Sequence, residues 1–329
     1  MTFSFIEAIT EELSRESLGE QKAPTLWPSA ATATIADKAL GKCRRQAYYR
    51  YVTDLYNFDE QYDSFKTLVD QLNLEKTPPS KYLKWIWRAG DLYEQYCIDL
   101  AKEAGIFVAT QVSIYIPKVN VSGKLDLVVV NPETKKYQIV EVKSVYGFNA
   151  NSVMGTDSQR KNGKMGTPRE SHLMQLGIYQ WWYGDPKDFG PGLLVYGARD
   201  TGKYSEYLVT IETSDEDGED YIHYQGNAPV QTSKVNSGIS LQSTMRNYKF
   251  ILDSAKSQKV PDRDYYLKYT EEMIDKMYED GLLGKTDTTQ YEKRKKQLAE
   301  GKKRVVKAVE KGDWQCRFCD YQVTCYKEQ

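Results

Sequence analysis

Two carboxylates and a lysine occupy positions from which they could act together. Asp126 lies in one β-rich run, Glu141 and Lys143 lie in the next, and the turn-forming residues 131–136 join the two runs. Such a pattern predicts a β-hairpin. A symmetric turn places Asp126 opposite Glu141, so the two acids are expected to face each other across the hairpin.

These side chains could bind a divalent cation. Glu141 and Lys143 are two residues apart and share one strand face, with Val140 and Val142 on the other. Facing carboxylates repel each other unless a cation neutralises them, and oxygen ligands suit Mg²⁺ or Mn²⁺. The lysine could orient or deprotonate a metal-bound water and stabilise charge on a phosphate. The alternative is a surface strand with an ordinary Glu–Lys ion pair, which contributes little stability.

A third carboxylate, Glu94, lies on an otherwise apolar face of a predicted helix over residues 81–103. Its neighbours one and two turns away are apolar or small. Because an unpartnered buried carboxylate is destabilising, a bound metal is a reasonable partner for Glu94. A hydrogen bond within the core is the alternative.

Four of the five cysteines could form a second metal site. Cys316, Cys319 and Cys325 cluster near the C-terminus, and Cys43 lies far upstream in the aromatic and basic stretch CRRQAYYRY. Disulfides are disfavoured in a reducing compartment, so clustered cysteines favour metal ligation. Four thiolates suit either a [4Fe–4S] cluster or zinc. Cys97 is left over and is most simply a buried apolar thiol.

The elements that must position these residues follow from hydrophobic periodicity. Helices are predicted over residues 5–18, 36–56, 81–103 and 170–183 and from residue 251 onward. Strands are predicted over residues 107–116, 121–130, 137–145, 192–196 and 204–211. The acidic run 215–220 predicts a solvated turn. This order predicts an α/β fold with a mixed central sheet flanked by helices.

Composition restricts how the chain could meet its partners. The 329 residues carry a net charge of only −1, so a polyanion would have to be held by a local basic surface. No apolar run approaches the roughly 20 residues that span a membrane. The acidic, amphipathic N-terminus is unlike a signal peptide. We therefore expect an intracellular, cytoplasmic protein with no membrane partner.

Taken together, the motifs resemble the RecB-like branch of the PD-(D/E)XK nucleases. The matching elements are Arg88-x-Gly90-x-x-x-Glu94, Gly123-x-x-Asp126, Glu141-x-Lys143 and Gln175-x-x-x-Tyr179. In that family the first element often carries His where this chain has Glu94. The resemblance implies a restriction-endonuclease-like PD-(D/E)XK core over about residues 81–211, within one elaborated domain spanning residues 1–329.

The resemblance also implies roles for the acids. Asp126, Glu141 and Glu94 would hold one or two Mg²⁺ or Mn²⁺ ions, with the main-chain carbonyl of Val142 as a further ligand. Lys143 would position the attacking water. The predicted reaction is hydrolysis of a phosphodiester bond.

Contacts to the DNA strand are expected from two parts of the chain, the helix predicted over residues 170–183 and the polar segment that precedes it. Gln175 and Tyr179 share one face of the helix predicted over residues 170–183 and match a motif that the family associates with the active site and the strand. Residues 147–169 are expected to form a mobile segment that engages phosphates, since this segment carries Arg160, Lys161, Lys164 and Arg169. An ordinary solvated loop is the alternative.

The cysteine spacing is similar to that of the iron-staple nucleases, which include the CRISPR-adaptation exonucleases, the AddB subunit and the eukaryotic nuclease-helicase that trims Okazaki fragments. This resemblance implies a [4Fe–4S] cluster on Cys43, Cys316, Cys319 and Cys325. Such a cluster would join the region around residues 36–56 to the C-terminal region over residues 251–329. Zinc is the alternative metal.

These expectations converge on a Mg²⁺- or Mn²⁺-dependent deoxyribonuclease. Single-stranded DNA, or DNA with free ends, is the expected substrate, digestion from the ends is the expected mode, and a helicase or recombination protein is the expected partner. One alternative is a non-catalytic nucleic-acid-binding subunit of a recombination or replication complex, which would not need intact acids. The other is a zinc-stapled interaction protein.

Overall fold

The computed structural model describes residues 23–35, 38–58, 65–72, 74, 81–302 and 304–327. Its strands are β1 (Thr32–Ile35), β2 (Lys38–Gly41), β3 (Phe107–Ile116), β4 (Val121–Val130), β5 (Tyr137–Val145), β6 (Gly192–Ala198), β7 (Tyr204–Thr213), β8 (Asp220–Ala228) and β9 (Val235–Ser240). Its α-helices are α1 (Arg44–Phe58), α2 (Lys66–Gln71), α3 (Lys81–Glu103), α4 (Gly147–Met154), α5 (Asp157–Lys161), α6 (Glu170–Tyr183), α7 (Leu241–Lys256), α8 (Glu271–Glu279), α9 (Lys285–Ala299), α10 (Trp314–Arg317) and α11 (Gln322–Lys327). The chain divides into two compact units, Met1–Asp262 and Arg263–Gln329. The single elaborated domain expected from the sequence stays a prediction.

A mixed sheet of seven strands forms the centre of the first unit, in the sequential order β3-β4-β5-β6-β7-β8-β9. Neighbouring strands are antiparallel except β5 and β6, which run parallel. A parallel pair needs a long crossover connection, and here the crossover carries α4, α5 and α6. Strands β1 and β2 form a separate antiparallel pair. The expected α/β architecture, a mixed sheet flanked by helices, is confirmed.

Helix α3 covers one face of the sheet through an apolar cluster. Ile98 and Ala101 of α3 pack with Leu127 and Val129 of β4 and with the two valines of β5 at positions 140 and 142. Side chains alternate between the two faces of a strand, so Asp126 and Glu141 project from the opposite face, where α6 lies against β5, β6 and β7. The predicted separation of the valines from the acids is confirmed.

Several predicted elements have the expected bounds. Helices α3 and α6 and strands β3, β4 and β5 begin and end where the sequence predicted them, and β6 and β7 each extend two residues further. The acidic run forms the turn between β7 and β8, closed by a hydrogen bond from the Ser214 amide to the Glu219 carbonyl at 2.9 Å. The helix predicted over residues 5–18 lies outside the described residues.

The helix predicted over residues 36–56 was wrong in its first part. Residues 38–41 form strand β2, and the helix begins only at Arg44. Gly41 explains the break, because its φ of +86° is left-handed and an added Cβ would lie 2.6 Å from the Ala31 carbonyl oxygen. The chain therefore turns at Gly41 and places Cys43 immediately before α1.

The prediction of helix from residue 251 onward was incomplete. Helix α7 already begins at Leu241, where the Ser240 hydroxyl accepts a hydrogen bond from the Ser243 amide at 3.0 Å and caps the helix. A strand-like segment was expected after the acidic run, and β8 lies there, whereas β9 had not been predicted. Strand β9 is rich in polar residues and lacks the apolar alternation that marked the other strands.

The second unit has a small apolar cluster of its own, built on Ile274, Leu283 and Val309. Tyr278 and Tyr291 stack beside it with ring centroids 4.4 Å apart. In the part of the chain that the structure describes, no helix combines the length and apolar character needed to cross a bilayer.

Candidate active site

The hairpin formed by β4 and β5 has the register predicted from its turn. Leu127 pairs with Val140 and Val128 with Ile139, so the next residues in register are Asp126 and Glu141. At this position Asp126 Oδ2 accepts a hydrogen bond from the main-chain amide of Val142 at 2.9 Å. The hairpin therefore brings the two acids together and fixes one of them against the neighbouring main chain.

Glu141 is a fully buried carboxylate with one satisfied oxygen. Its Oε1 contacts the ammonium of Lys143, whereas its Oε2 has no hydrogen-bond partner among the described residues. Burial raises the pKa of Glu141 to about 8; the nearby Asp126 adds to this rise and Lys143 opposes it. A carboxylate that ligates a cation is expected to have such an unsatisfied oxygen when no cation is bound.

Asp126 and Lys143 complete a strongly coupled cluster. Burial raises the pKa of Asp126, although Lys143 and the Val142 amide both oppose the rise. Burial alone would lower the pKa of Lys143, but Glu141 and Asp126 outweigh it and raise that pKa above its ordinary value. With a pKa of about 8, Glu141 largely keeps its proton at neutral pH, and a bound divalent cation would displace that proton by stabilising the ionised carboxylate.

Glu94 lies within electrostatic reach of this pair although it comes from another element. Partial burial and the charge of Asp126 raise the pKa of Glu94. Its Oε1 accepts a hydrogen bond from Gln111 Nε2 at 2.6 Å. Gln111 has a left-handed φ of 54° inside strand β3, a conformation uncommon for any residue other than glycine. Sequence reasoning missed Gln111, because nothing in a run of strand-forming residues marks a left-handed position.

The donor set fits a hard divalent cation. Carboxylates from Asp126, Glu141 and Glu94 are the oxygen ligands that Mg²⁺ and Mn²⁺ prefer, and Glu141 has a free oxygen to offer. Within the described ranges, no three or more His, Cys, Asp or Glu side chains are gathered closely enough to form a ready metal-binding group. The main-chain carbonyl of Val142 as a further ligand stays a prediction.

Gln175 and Tyr179 lie together on α6 beside the acids. Gln175 Nε2 donates a hydrogen bond to the Tyr179 hydroxyl at 3.1 Å, and the Tyr179 side chain is buried. Burial, followed by the charges of Glu141 and Asp126, raises the pKa of Tyr179 well above its ordinary value. A Cβ at Gly123 would lie 2.9 Å from the same hydroxyl, so the glycine of the Gly-x-x-Asp element leaves room for this tyrosine.

The segment over residues 147–169 contains the short helices α4 and α5. Thr156 caps α5 by a reciprocal pair of hydrogen bonds with Gln159. Arg160 is ion-paired with Asp157, which also binds Lys203 Nζ at 2.7 Å. Of the remaining basic residues predicted to contact DNA, Lys161 and Lys164 are exposed and Arg169 is half-buried at the start of α6.

The cysteines predicted to bind a metal are distributed over both units. Cys43 precedes α1 in the first unit, and Cys316, Cys319 and Cys325 lie on and around α10 and α11 in the second. None of the five cysteines forms a disulfide. Cys97 packs against the apolar cluster between α3 and the sheet, but it is only half-buried, so the thiol predicted to be buried is partly exposed.

The candidate site comprises Asp126, Glu141 and Lys143 on the hairpin, Glu94 within electrostatic reach of them, and the hydrogen-bonded Gln175–Tyr179 pair. Its members come from α3, β4, β5 and α6, and Gln111 of β3 holds Glu94. No protein-family model matches this chain, and no curated protein or solved structure matches it either.

Proposed function

We propose that the chain is a Mg²⁺- or Mn²⁺-dependent deoxyribonuclease with a PD-(D/E)XK core. The observation that carries the proposal is the buried carboxylate of Glu141, which stands in register with Asp126, contacts Lys143 through one oxygen and leaves the other without a donor. A fold that needed only a structural ion pair would gain nothing from a second buried acid at this place.

The proposed reaction is hydrolysis of a phosphodiester bond by water. A bound divalent cation supplies Lewis acidity at the phosphate and lowers the pKa of the attacking water. Asp126, Glu141 and Glu94 would hold this cation. Lys143, on the same strand face as Glu141, would orient the water and stabilise the negative charge that develops on the phosphate.

Gln175 and Tyr179 would hold the strand in place. A tyrosine hydroxyl is protonated at neutral pH, so that of Tyr179 could donate a hydrogen bond to a phosphate oxygen. Single-stranded DNA ends are the proposed substrate, and a helicase or recombination protein is the proposed partner.

Iron–sulfur ligation belongs to the same proposal. Cys43, Cys316, Cys319 and Cys325 would ligate a [4Fe–4S] cluster, with zinc as the alternative metal. The chemistry of the donors supports this assignment, since thiolates are soft ligands and none of the four is used in a disulfide.

The active-site assignment is tested by removing one ligand charge at a time. Asp126→Asn and Glu141→Gln should each reduce cleavage of end-labelled single strands by about a hundredfold or more in Mg²⁺ or Mn²⁺, because each weakens the hold on the cation. Strand binding should stay within a few fold of the parent. Glu133→Gln is the matched control, since this exposed acid lies in the turn of the same hairpin. Undiminished cleavage by either site variant would remove the assignment.

A further inference from the structure

A cleft opens beside Lys143 at the end of strand β5 and has a volume of about 570 Å³. Its walls come from the start of α3, the end of β5, the segment after β5 and the start of α6. The acid cluster and the cleft therefore share Lys143. Any ligand in the cleft would approach the ammonium that the proposed reaction uses.

Aromatic side chains line this cleft although they are open to water. Tyr82 is 75% exposed, Trp85 is 37% exposed and Tyr146 is 63% exposed. Tyr82 and Trp85 are three residues apart on α3 and so share a helix face. Phe148 is 86% exposed two residues beyond Tyr146. Aromatic surface grouped in this way, rather than scattered, marks a place where something binds.

The charge of the cleft is positive. Lys143, Arg169 and Arg199 line it, and no acidic side chain is among the described residues that do so. Arg199 is held in place because its guanidinium donates to the Ile86 carbonyl of α3 at 3.3 Å. Two acids lie just beyond the lining: Glu141 contacts the ammonium of Lys143, and Asp200 accepts a hydrogen bond from the Gly147 amide at 3.1 Å.

The half-buried His172 senses the positive charges around the cleft. The pKa of His172, which also lines the cleft, is lowered well below its ordinary value, first by burial and then by the positive charges of Lys143, Arg169 and Lys42. Burial opposes any added charge at His172, and the three cations add a positive potential there.

We propose that this cleft holds an unpaired nucleic-acid strand, with bases stacked on Tyr82, Trp85 and Tyr146 and phosphates against Arg169 and Arg199. Aromatic rings can stack on base faces only where the bases are unpaired, because a duplex covers those faces. A groove that combines aromatic and basic side chains can hold a single strand without reading its sequence. The inference rests on the proposed function and names the path by which its substrate reaches Lys143.

The experiment measures binding without cleavage. A dye-labelled oligothymidylate is titrated with the full-length protein in EDTA and followed by fluorescence anisotropy. The double variant Tyr82→Ala with Trp85→Ala should bind about tenfold or more weakly, because each stacked base lost carries a penalty of that order. The double variant to Phe should bind like the parent. Tyr96→Ala is the control, since Tyr96 is an exposed aromatic on the same helix outside the cleft.

The salt dependence of binding reports the phosphate contacts, and strands that lack bases or have paired bases report the stacking contacts. Arg199→Gln should reduce the slope of log affinity against log salt by about one, as expected for one phosphate contact. An abasic strand of the same length should bind the parent more weakly than the oligothymidylate. A duplex should compete poorly.

The proposal is overturned if the double alanine variant, with an unchanged melting temperature, binds the strand as tightly as the parent. It is also overturned if the abasic strand or the duplex binds as well as the oligothymidylate. These results are independent of the acids. Loss of cleavage in Asp126→Asn together with normal strand binding by the aromatic variants would refute the cleft alone, and the reverse pattern would refute the active site alone.

Discussion

Gln111 is the residue through which strand β3 acts on the acid cluster. It lies between Thr110 and Val112, which pair with Leu127 and Leu125 of β4, so it stands at the level of Asp126. Its left-handed backbone accompanies the 2.6 Å hydrogen bond to Glu94. Thr110 secures the same position by donating from its hydroxyl to the Asp126 carbonyl at 2.6 Å.

Gln111→Gly should weaken cation binding while preserving the strand. Glycine tolerates the left-handed φ, so the change removes the amide that orients Glu94 without straining the backbone. Removing a residue that hydrogen-bonds to a metal ligand typically lowers the affinity for the metal by about 10- to 100-fold. We expect a loss of Mn²⁺ affinity in that range in a calorimetric titration.

The matched control for this change is Gln95→Ala. Gln95 is exposed on α3 next to Glu94 in sequence and donates instead to Asp99 at 2.9 Å. An Mn²⁺ affinity of Gln111→Gly equal to that of Gln95→Ala would mean that Gln111 does not position a ligand.

His172 should make the protein less stable as the pH falls. Its pKa in the folded state lies well below the ordinary value of 6.5, so the unfolded chain takes up a proton first. Its contribution is fully present above pH 6.5 and is lost as the pH falls from there toward the folded pKa. Denaturant unfolding at pH 7.5, 6.5 and 5.5 should show a shallower fall in the unfolding free energy for His172→Gln than for the parent. Parallel pH profiles would contradict this.

At the scale of elements, the β4–β5 hairpin was predictable because its register depends on neighbouring residues in the turn. Asn131 begins the turn and its Oδ1 accepts the amides of Glu133 and Thr134, so the turn residues themselves set the register that brings Asp126 opposite Glu141. The left-handed φ of Gln111 and the cleft beside Lys143 depend on contacts between distant segments. No local pattern could have revealed either of them.

Helix α6 and strand β2 show the same difference between local patterns and contacts made by distant residues. Helix α6 carries Gln175 and Tyr179 in a long periodic run, and its bounds were predicted correctly. Strand β2 was taken for helix, because a short run of Ala and Leu favours either structure and only the contact at Gly41 decides between them.

The connection between β5 and α6 should contact phosphates through its exposed lysines. Arg160 is engaged with Asp157, so reversing its charge would disturb α5 itself. Lys161→Glu with Lys164→Glu should instead weaken single-strand binding and lower the salt slope by up to about two. Anisotropy titrations over a range of salt concentrations measure both quantities. An affinity and slope equal to those of the parent would make this connection an ordinary solvated one.

At the scale of the whole molecule, the proposed ligation by Cys43, Cys316, Cys319 and Cys325 predicts how much iron the protein binds. Protein purified without oxygen should contain about four irons per chain and no stoichiometric zinc. Cys319→Ala should lose the iron and its visible absorbance and should lower the melting temperature.

Cys97→Ala is the internal control for this prediction. Cys97 packs against the apolar cluster of α3, β4 and β5, apart from the proposed ligands, so its replacement should leave the iron content unchanged. One zinc per chain with no visible chromophore would contradict the cluster and favour a zinc-stapled protein.

The irregularity at Gln111 also bears on how copies of the chain behave toward one another. Strand β3 is ten residues long and forms one end of the sheet, and no other described strand pairs with its outer side. Long regular strands at such an end invite pairing with another molecule. The left-handed residue breaks the regular row of amides and carbonyls, and the Tyr183 hydroxyl covers one of these groups by donating to the Ser113 carbonyl at 2.7 Å. We therefore expect the irregularity at Gln111 to disfavour edge-to-edge pairing, so Gln111→Val should increase light scattering during refolding where Gln111→Gly does not.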